Sequence, residues 1–538
     1  MIAQQGKDTV RTYTGTPATL ECHDPATLER LGEVPSFSRA EVVERVQRAR
    51  AAQAAWGQTT FAERRRVLRA LLDWILAHQE EICRLCSRDS GKTIVDAAMG
   101  EVFPVCEKIR YLIEHGEKDL APEPRPSGLL MHKAARVEYS PLGVVGVICP
   151  FNFPFHNILC PVVPALFAGN AVVAKVSEWT SWSAADFQAM FDEVLRSCGH
   201  SPELVQILTG GGETGSALVT SGVQKIFFTG SPENGKKVMA AAAETLTPVE
   251  LELGGKDPMI VCDDADLEQA VAASMLGTFT ACGQMCVAAE RIIVFDAIYD
   301  RFVDEVVRRT QALRQGPPAH DPGGEFDVGA TTMPRQLAII QRQIDDAVQK
   351  GARILVGGQR NPRYPGQFFE PTVVVDCDSS MALVREETFG PVMTVLRVSS
   401  EEEAVRVAND TAYGLGSSVF TRSAARGERI ARRISAGMTV VNDYGIAYMI
   451  QSAPFGGTRI SGFGRINGRE GLRACCHVKT IVTDKLPIHM AMSMYPVRKA
   501  TYPLLESAVT MIYGDGLRTR ARGLAGVAKN LARLALNR

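Results

Sequence analysis

The sequence predicts an α/β protein with two parallel-sheet domains and a small β arm, and three patterns carry that expectation. Short β-rich runs at 144–149, 171–176, 204–208 and 225–228 are separated by stretches long enough for one helix each, as crossover connections in a parallel sheet require. A second alternating series starts near Met259 and continues at 291–295, 354–356, 373–375, 392–396 and 439–441. Outside both series, 131–139 and 478–483 alternate polar and apolar residues, so the two segments could pair as an arm.

In chain order, the segment 1–32 lacks the basic start and apolar run of a secretory leader, so a cytosolic setting with reduced thiols is expected. Apolar periodicity then predicts helices over 42–56 and 67–86, the latter inside a long helical pattern at 64–88. The uncharged stretch 139–174 is long enough for a membrane span, but five prolines interrupt it, and Asn152, His156 and Asn157 would need partners in lipid. It reads instead as strand, loop and buried helix. Cys83 and Cys86 form a lone CxxC with no second pair or nearby histidines, and Cys475 and Cys476 read as packing residues, so no metal is expected.

With 538 residues, 46% of them hydrophobic, the chain can build two or three cores. Its 59 basic and 60 acidic side chains create no global field for nucleic acid, which leaves a small molecule as the expected partner. Beyond Asp484 the character changes. Residues 517–538 hold Arg518, Arg520, Arg522, Lys529, Arg533 and Arg538 with no acidic residue, and Leu524, Val527, Leu531 and Leu534 fall at helical spacing. Such a basic amphipathic helix suits peripheral contact with an anionic membrane, or a partner subunit, or a merely packed tail.

Four motifs bear on chemistry. Gly283-Gln284-Met285-Cys286 sets a cysteine among small and polar residues, although a buried inert thiol is the commoner fate of a cysteine. Glu252 ends a β-rich run directly before Gly254 and Gly255, where it is either a solvent-facing strand residue or a base in an apolar pocket. Asn152, between Pro150 and Pro154, offers a rigid amide suited to an oxyanion or simply makes a turn. The glycine fingerprint at 210–215 follows a strand and opens a helix, but Phe228-Thr229-Gly230-Ser231 offers a second phosphate site with the same N–H donors.

Taken in order, these pieces resemble the aldehyde dehydrogenase superfamily over residues 16–484. The resemblance rests on Pro150 to Pro154, Lys175-Val176-Ser177-Glu178, Phe228 to Ser231, and Glu252-Leu253-Gly254-Gly255-Lys256. It continues through Gly283 to Cys286, Glu386-Glu387-Thr388-Phe389-Gly390-Pro391 and Pro454-Phe455-Gly456-Gly457. Phe151 stands where the family usually has tryptophan, Val176 where it has proline, and the chain continues past the usual end. The Lys175–Glu178 motif, the run 243–248 and the tail through Tyr495-Pro496 and Ile512-Tyr513-Gly514 resemble a branch with plant and fungal members and a C-terminal extension.

The resemblance implies two Rossmann-like domains: an NAD-binding one of 1–123 with 142–253 and a catalytic one of 254–453. An arm of 124–141 with 465–486 would bridge subunits into a homodimer or homotetramer, and 487–538 would be the extension. It implies Cys286 as nucleophile, Asn152 as oxyanion donor and Glu252 as the base that hydrolyses a thioester, hence an acid product from a small-molecule aldehyde. For the cofactor it implies Lys175, Ser177 and Glu178 near the adenine ribose, with Gly212 on the adenine side. Phe228, Thr229, Gly230 and Ser231 fall at the pyrophosphate, Glu387 at the nicotinamide ribose and Phe389 at the nicotinamide ring, with Phe151 and Leu253 as further cofactor contacts. The Glu178 carboxylate favours NAD over NADP. The alternative is a catalytically silent relative that serves as a scaffold or membrane-associated binding protein.

Overall fold

The computed structural model describes residues 18–320, 324–485 and 495–536. Most of the leader reading (1–17), the last residue of the expected arm (486), the start of the extension (487–494) and Arg538 therefore lie outside the described residues. The chain divides into two compact units, Met1–Glu123 with Val137–Lys479, and Pro124–Arg136 with Thr480–Arg538.

The larger unit holds two large sheets, beside a two-stranded antiparallel pair of Thr19–His23 and Arg30–Pro35. In the first, β1 (Val144–Ile148), β2 (Ala171–Lys175), β3 (Val205–Leu208), β4 (Lys225–Gly230) and β5 (Val249–Leu253) run parallel in the order β5-β4-β1-β2-β3. In the second, β6 (Asp257–Val261), β7 (Ala289–Phe295), β8 (Arg353–Val356), β9 (Thr372–Val375), β10 (Val392–Val398), β11 (Ser418–Phe420) and β12 (Val440–Val441) are ordered β8-β9-β10-β7-β6-β11-β12. A late strand, β13 (Gly462–Phe463), returns to the first sheet and pairs antiparallel with β5, placing Gly462 opposite Glu252.

The continuous apolar runs follow from burial on both faces. Along β6, Met259 and Val261 enter one hydrophobic cluster while Ile260 enters another, and Ile292 and Val294 of β7 separate from Ile293 in the same way. The stretch first weighed as a membrane span is β1, a loop, the buried helix His156–Phe167 and β2.

Two expectations need correction, and one strand escaped the sequence. The helical pattern at 64–88 is two helices, Phe61–Ala77 and Gln79–Ser90, broken at His78, whose ring stacks on Trp74 3.9 Å away; apolar periodicity does not register a one-residue break. The run at 354–356 is an antiparallel edge strand rather than part of the parallel series. At three residues, Ser418–Phe420 is too short for periodicity to reveal, yet it lies inside the second sheet.

The two expected arm strands are neighbours: Lys133–Pro141 lies between Cys476–Asp484 and Glu123–Arg125 in a three-stranded sheet. The smaller unit contains a helical hairpin of Thr501–Tyr513 and Gly516–Leu536.

Candidate active site

The loop after β1 is fixed by a buried ion pair. Lys92 bonds Glu101 and also donates to the Asn152 carbonyl at 2.6 Å, and its ammonium lies 4.0 Å from the Phe153 ring centre. The other oxygen of Glu101 accepts from the backbone N–H groups of Phe155 and His156 at 3.1 and 2.8 Å, at the start of the following helix. Asn152 is thereby buried with its amide oriented. Its oxygen accepts from Asn157 at 3.0 Å and its nitrogen donates to the Gln284 carbonyl at 2.9 Å. An amide nitrogen carries two hydrogens, so one donor remains after the Gln284 contact.

Cys286 reaches the same place from the second sheet's side. Before it, Ala281 and Cys282 take left-handed conformations (φ +50° and +57°), and Gly283 follows at φ +72°. A side chain at Gly283 would stand 2.1 Å from the Gly390 carbonyl, so only glycine fits this turn. Cys282 is buried in the second domain's core, whereas Cys286 is half-buried and lines a cavity; all thirteen cysteines are free thiols.

Glu252, on β5, lines that cavity as well, which settles its two sequence readings in favour of a buried carboxylate. Its Oε1 has no hydrogen-bond partner. Burial pushes its carboxyl up to about 7, with a hydrogen bond from the Cys286 thiol opposing the shift. Burial, followed by the facing Glu252, pushes the Cys286 thiol well above its ordinary range, so thiol and carboxylate compete for one proton.

Beside this pair lies a polar ledge. Lys256 bonds Glu290 at 2.5 Å and Thr388 Oγ1 at 3.0 Å, while Glu290 also accepts from the backbone of Thr388 and Phe389 at 2.8 Å each. These bonds hold Phe389 at φ +50° and bring its ring edge-on to Phe151, with centres 5.8 Å apart. Glu387 accepts from the Gly255 N–H at 3.0 Å, and a side chain on Gly254 would stand 2.2 Å from its carboxylate. Burial and the neighbouring Glu290 hold the Glu387 carboxyl well above its usual range.

The remaining expected cofactor residues line up along the carboxyl ends of the first sheet, where open α/β sheets bind ligands. Ile148 stands in register with Lys175 and Phe228, Lys175 with Leu208, and Gly230 with Leu253. Buried Lys175 meets exposed Glu178 at 3.2 Å, and Ser177 Oγ accepts from the Trp179 N–H at 3.3 Å. Thr229 is half-buried before Gly230, and Ser231 caps the helix Pro232–Ala243 by accepting from the Asn234 N–H. The fingerprint glycines open a separate helix, Gly212–Val219, with Gly212 exposed.

The cavity has a volume of about 440 Å³ and places Asn152, Glu252 and Cys286 among largely apolar walls. Met99, Phe103, Leu276 and Ile446 line it while remaining exposed to solvent. Among the described residues no lysine or arginine lines it. His156 does, but burial, then Lys108 and Lys92, push its imidazole down to about 3, which leaves it neutral. Its Nε2 bonds the Tyr448 hydroxyl at 2.6 Å, and that hydroxyl also meets Cys160 Sγ at 2.9 Å.

A model of the Aldehyde dehydrogenase family matches residues 13–481. The chain belongs to that family. An aldehyde dehydrogenase-like protein of Schizosaccharomyces pombe is 41% identical over 473 residues, covering 87% of this chain and 90% of that protein. A second aldehyde dehydrogenase-like protein, of Saccharomyces cerevisiae, is 37% identical over 98% of this chain and 85% of its own length. Among solved structures, betaine aldehyde dehydrogenase of Staphylococcus aureus in complex with NAD+ superposes with a TM-score of 0.81 at 32% identity, covering 88% of this chain and 93% of that one.

Around the expected site residues the fold also gathers side chains that the motifs did not single out: Lys92, Glu101, Asn157 and Gln284 around Asn152, and Lys256 and Glu290 around Phe389. Lys256 and Gln284 lie inside the motifs Glu252 to Lys256 and Gly283 to Cys286, which is the signal that marks them. Lys92 and Glu101 carried no local signal.

Proposed function

We propose that this aldehyde dehydrogenase uses NAD to oxidise neutral aldehydes with extended apolar substituents to carboxylic acids. The observation that carries the reading is the buried Glu252 carboxylate, its Oε1 without a hydrogen-bond partner, facing Cys286 on the wall of an apolar cavity. Glu252 takes the Cys286 proton, and the thiolate attacks the aldehyde carbon. As the carbonyl π bond opens, the oxyanion receives the free Asn152 N–H and the Cys286 backbone N–H. Bound NAD supplies the acceptor for the hydride that leaves this carbon, which turns the adduct on Cys286 into a thioester. Glu252, its first proton released to solvent, next takes a proton from water as the water oxygen attacks the thioester; the C–S bond breaks and Cys286 leaves as thiolate.

The residues present fit NAD. The helix Pro232–Ala243 offers N-terminal N–H groups and the Ser231 hydroxyl to a pyrophosphate. The Lys175–Glu178 pair offers an ammonium and a carboxylate to ribose hydroxyls, and that carboxylate opposes a 2′-phosphate. On this reading the six-stranded half binds the cofactor and the seven-stranded half carries the nucleophile.

A cavity of this volume accommodates a sizeable organic ligand, and the absence of lining cations leaves nothing to neutralise a carboxylated aldehyde. The test is NADH formation from a panel of long-chain aliphatic, aromatic, quaternary-ammonium and carboxylated aldehydes, with NAD and NADP compared and the acid quantified. The expected order puts the neutral apolar aldehydes first in kcat/KM. A carboxylated aldehyde ranking first overturns the substrate assignment, and no reduced cofactor from any aldehyde overturns the reaction in favour of a silent scaffold.

A further inference from the structure

We propose that the C-terminal hairpin is an interfacial anchor that lays the helix Gly516–Leu536 flat on an anionic lipid surface. The sequence grouped Leu524, Val527, Leu531 and Leu534 into one apolar stripe, but the fold divides them. Gly523, Val527, Asn530 and Leu534 lie on the covered side, against Thr501–Tyr513, where Asn530 Nδ2 donates to Ser507 Oγ. Leu517, Ala521, Leu524, Ala528, Leu531 and Ala535 follow a spacing of four and three, so they form one straight stripe, and all six are exposed. The three leucines in it are 88%, 58% and 52% exposed.

Between the covered face and this stripe run Arg518, Arg522, Lys529 and Arg533, all on one flank at 100° per residue. None of the four has an ion-pair partner among the described residues, whereas many cations of the larger unit are paired. The partner helix adds Tyr502, Leu505, Val509 and Tyr513, again exposed and at helical spacing, with aromatic rings at both ends as lipid headgroup zones favour. The hairpin's acidic residues, Glu506 and Asp515, lie on the partner helix and in the turn, off this basic flank.

An exposed apolar stripe bordered by unpaired cations fits a surface with an apolar interior and negative headgroups. It does not fit a second copy of this hairpin, because antiparallel pairing through the leucines would set the four cations against their own duplicates. Among the described residues no helix is long and apolar enough to cross a membrane, so the contact is peripheral.

The test is co-sedimentation of the full-length protein with phosphatidylcholine vesicles, with and without phosphatidylglycerol, alongside light scattering of the protein alone. Expected is binding to the mixed vesicles only, reversed by salt. It should weaken about tenfold or more in Leu524→Glu/Leu531→Glu and in Arg522→Glu/Lys529→Glu, with NADH formation from a water-soluble aldehyde unchanged in both. Absence of binding to the mixed vesicles, or equal binding by the variants, overturns the proposal. So does a drop in particle mass in Leu524→Glu/Leu531→Glu, which would make the stripe a subunit interface.

Discussion

Two buried carboxylates a short way apart along the cleft show opposite solutions to the same cost. Glu290 receives the Lys256 ammonium and two backbone N–H groups, so its charge is absorbed into the structure that shapes the Thr388–Phe389 turn. Glu252 has an oxygen with no partner at all, and burial drives its carboxyl up to about 7. That the fold satisfies one carboxylate this fully and leaves an oxygen of the other bare supports the chemical role proposed for Glu252, since an unpaired buried polar group is costly to retain.

That contrast can be broken or sharpened by substitution. The largest effect is expected at the cavity wall, where Cys286→Ala should lower NADH formation by roughly 10⁴-fold or more while NAD binding persists by fluorescence titration. Glu252→Gln should come next, cutting steady-state kcat by about 10²- to 10⁴-fold and also slowing the first-turnover burst of NADH, since the thiol loses its proton acceptor; an unchanged burst would confine Glu252 to thioester hydrolysis. Asn152→Ala should cost about 10²- to 10³-fold in kcat, with little change in cofactor affinity.

The ledge should respond in stability instead. Glu290→Gln strands the buried Lys256 charge, for which a loss of about 3 to 5 kcal/mol is expected in denaturant unfolding. A rate defect with unchanged stability would erase the distinction between the two sites.

The smallest effect is linked to pH. Glu252 binds its proton more tightly when folded (about 7) than at its ordinary value of 4.5. Its stabilising contribution is therefore complete below about 4.5 and is lost as pH rises through about 7. Melting temperatures between about pH 5 and pH 8 should fall less for Glu252→Gln than for the unaltered chain.

The sheets were legible because their strands are β-branched runs that had to be buried on both faces, and the short strand Ser418–Phe420 escaped because three residues make no pattern. The site was legible in its motifs but not in their supports. Nothing local marks Lys92 or Glu101, which act on the Asn152 loop only once the chain has folded back 54 to 60 residues later. Glu252 shows the same limit from the other side: its position on a strand was readable, yet whether it faced solvent or a cavity depended on what packed above it. The C-terminal stripe was misread because helical spacing alone cannot say which of two apolar faces the partner helix will cover.

The return of β13 to the first sheet also has a consequence during synthesis. Strand β5, which carries Glu252, acquires its outer neighbour only when the chain has grown about two hundred residues beyond it. At ribosomal speeds of roughly 5–20 residues per second, that edge stays open for some tens of seconds on the nascent chain. An unpaired edge next to a pair of glycines is then a temporary docking edge for other strands, and whatever shields it in the cell guards the strand that carries Glu252 before any substrate can reach it.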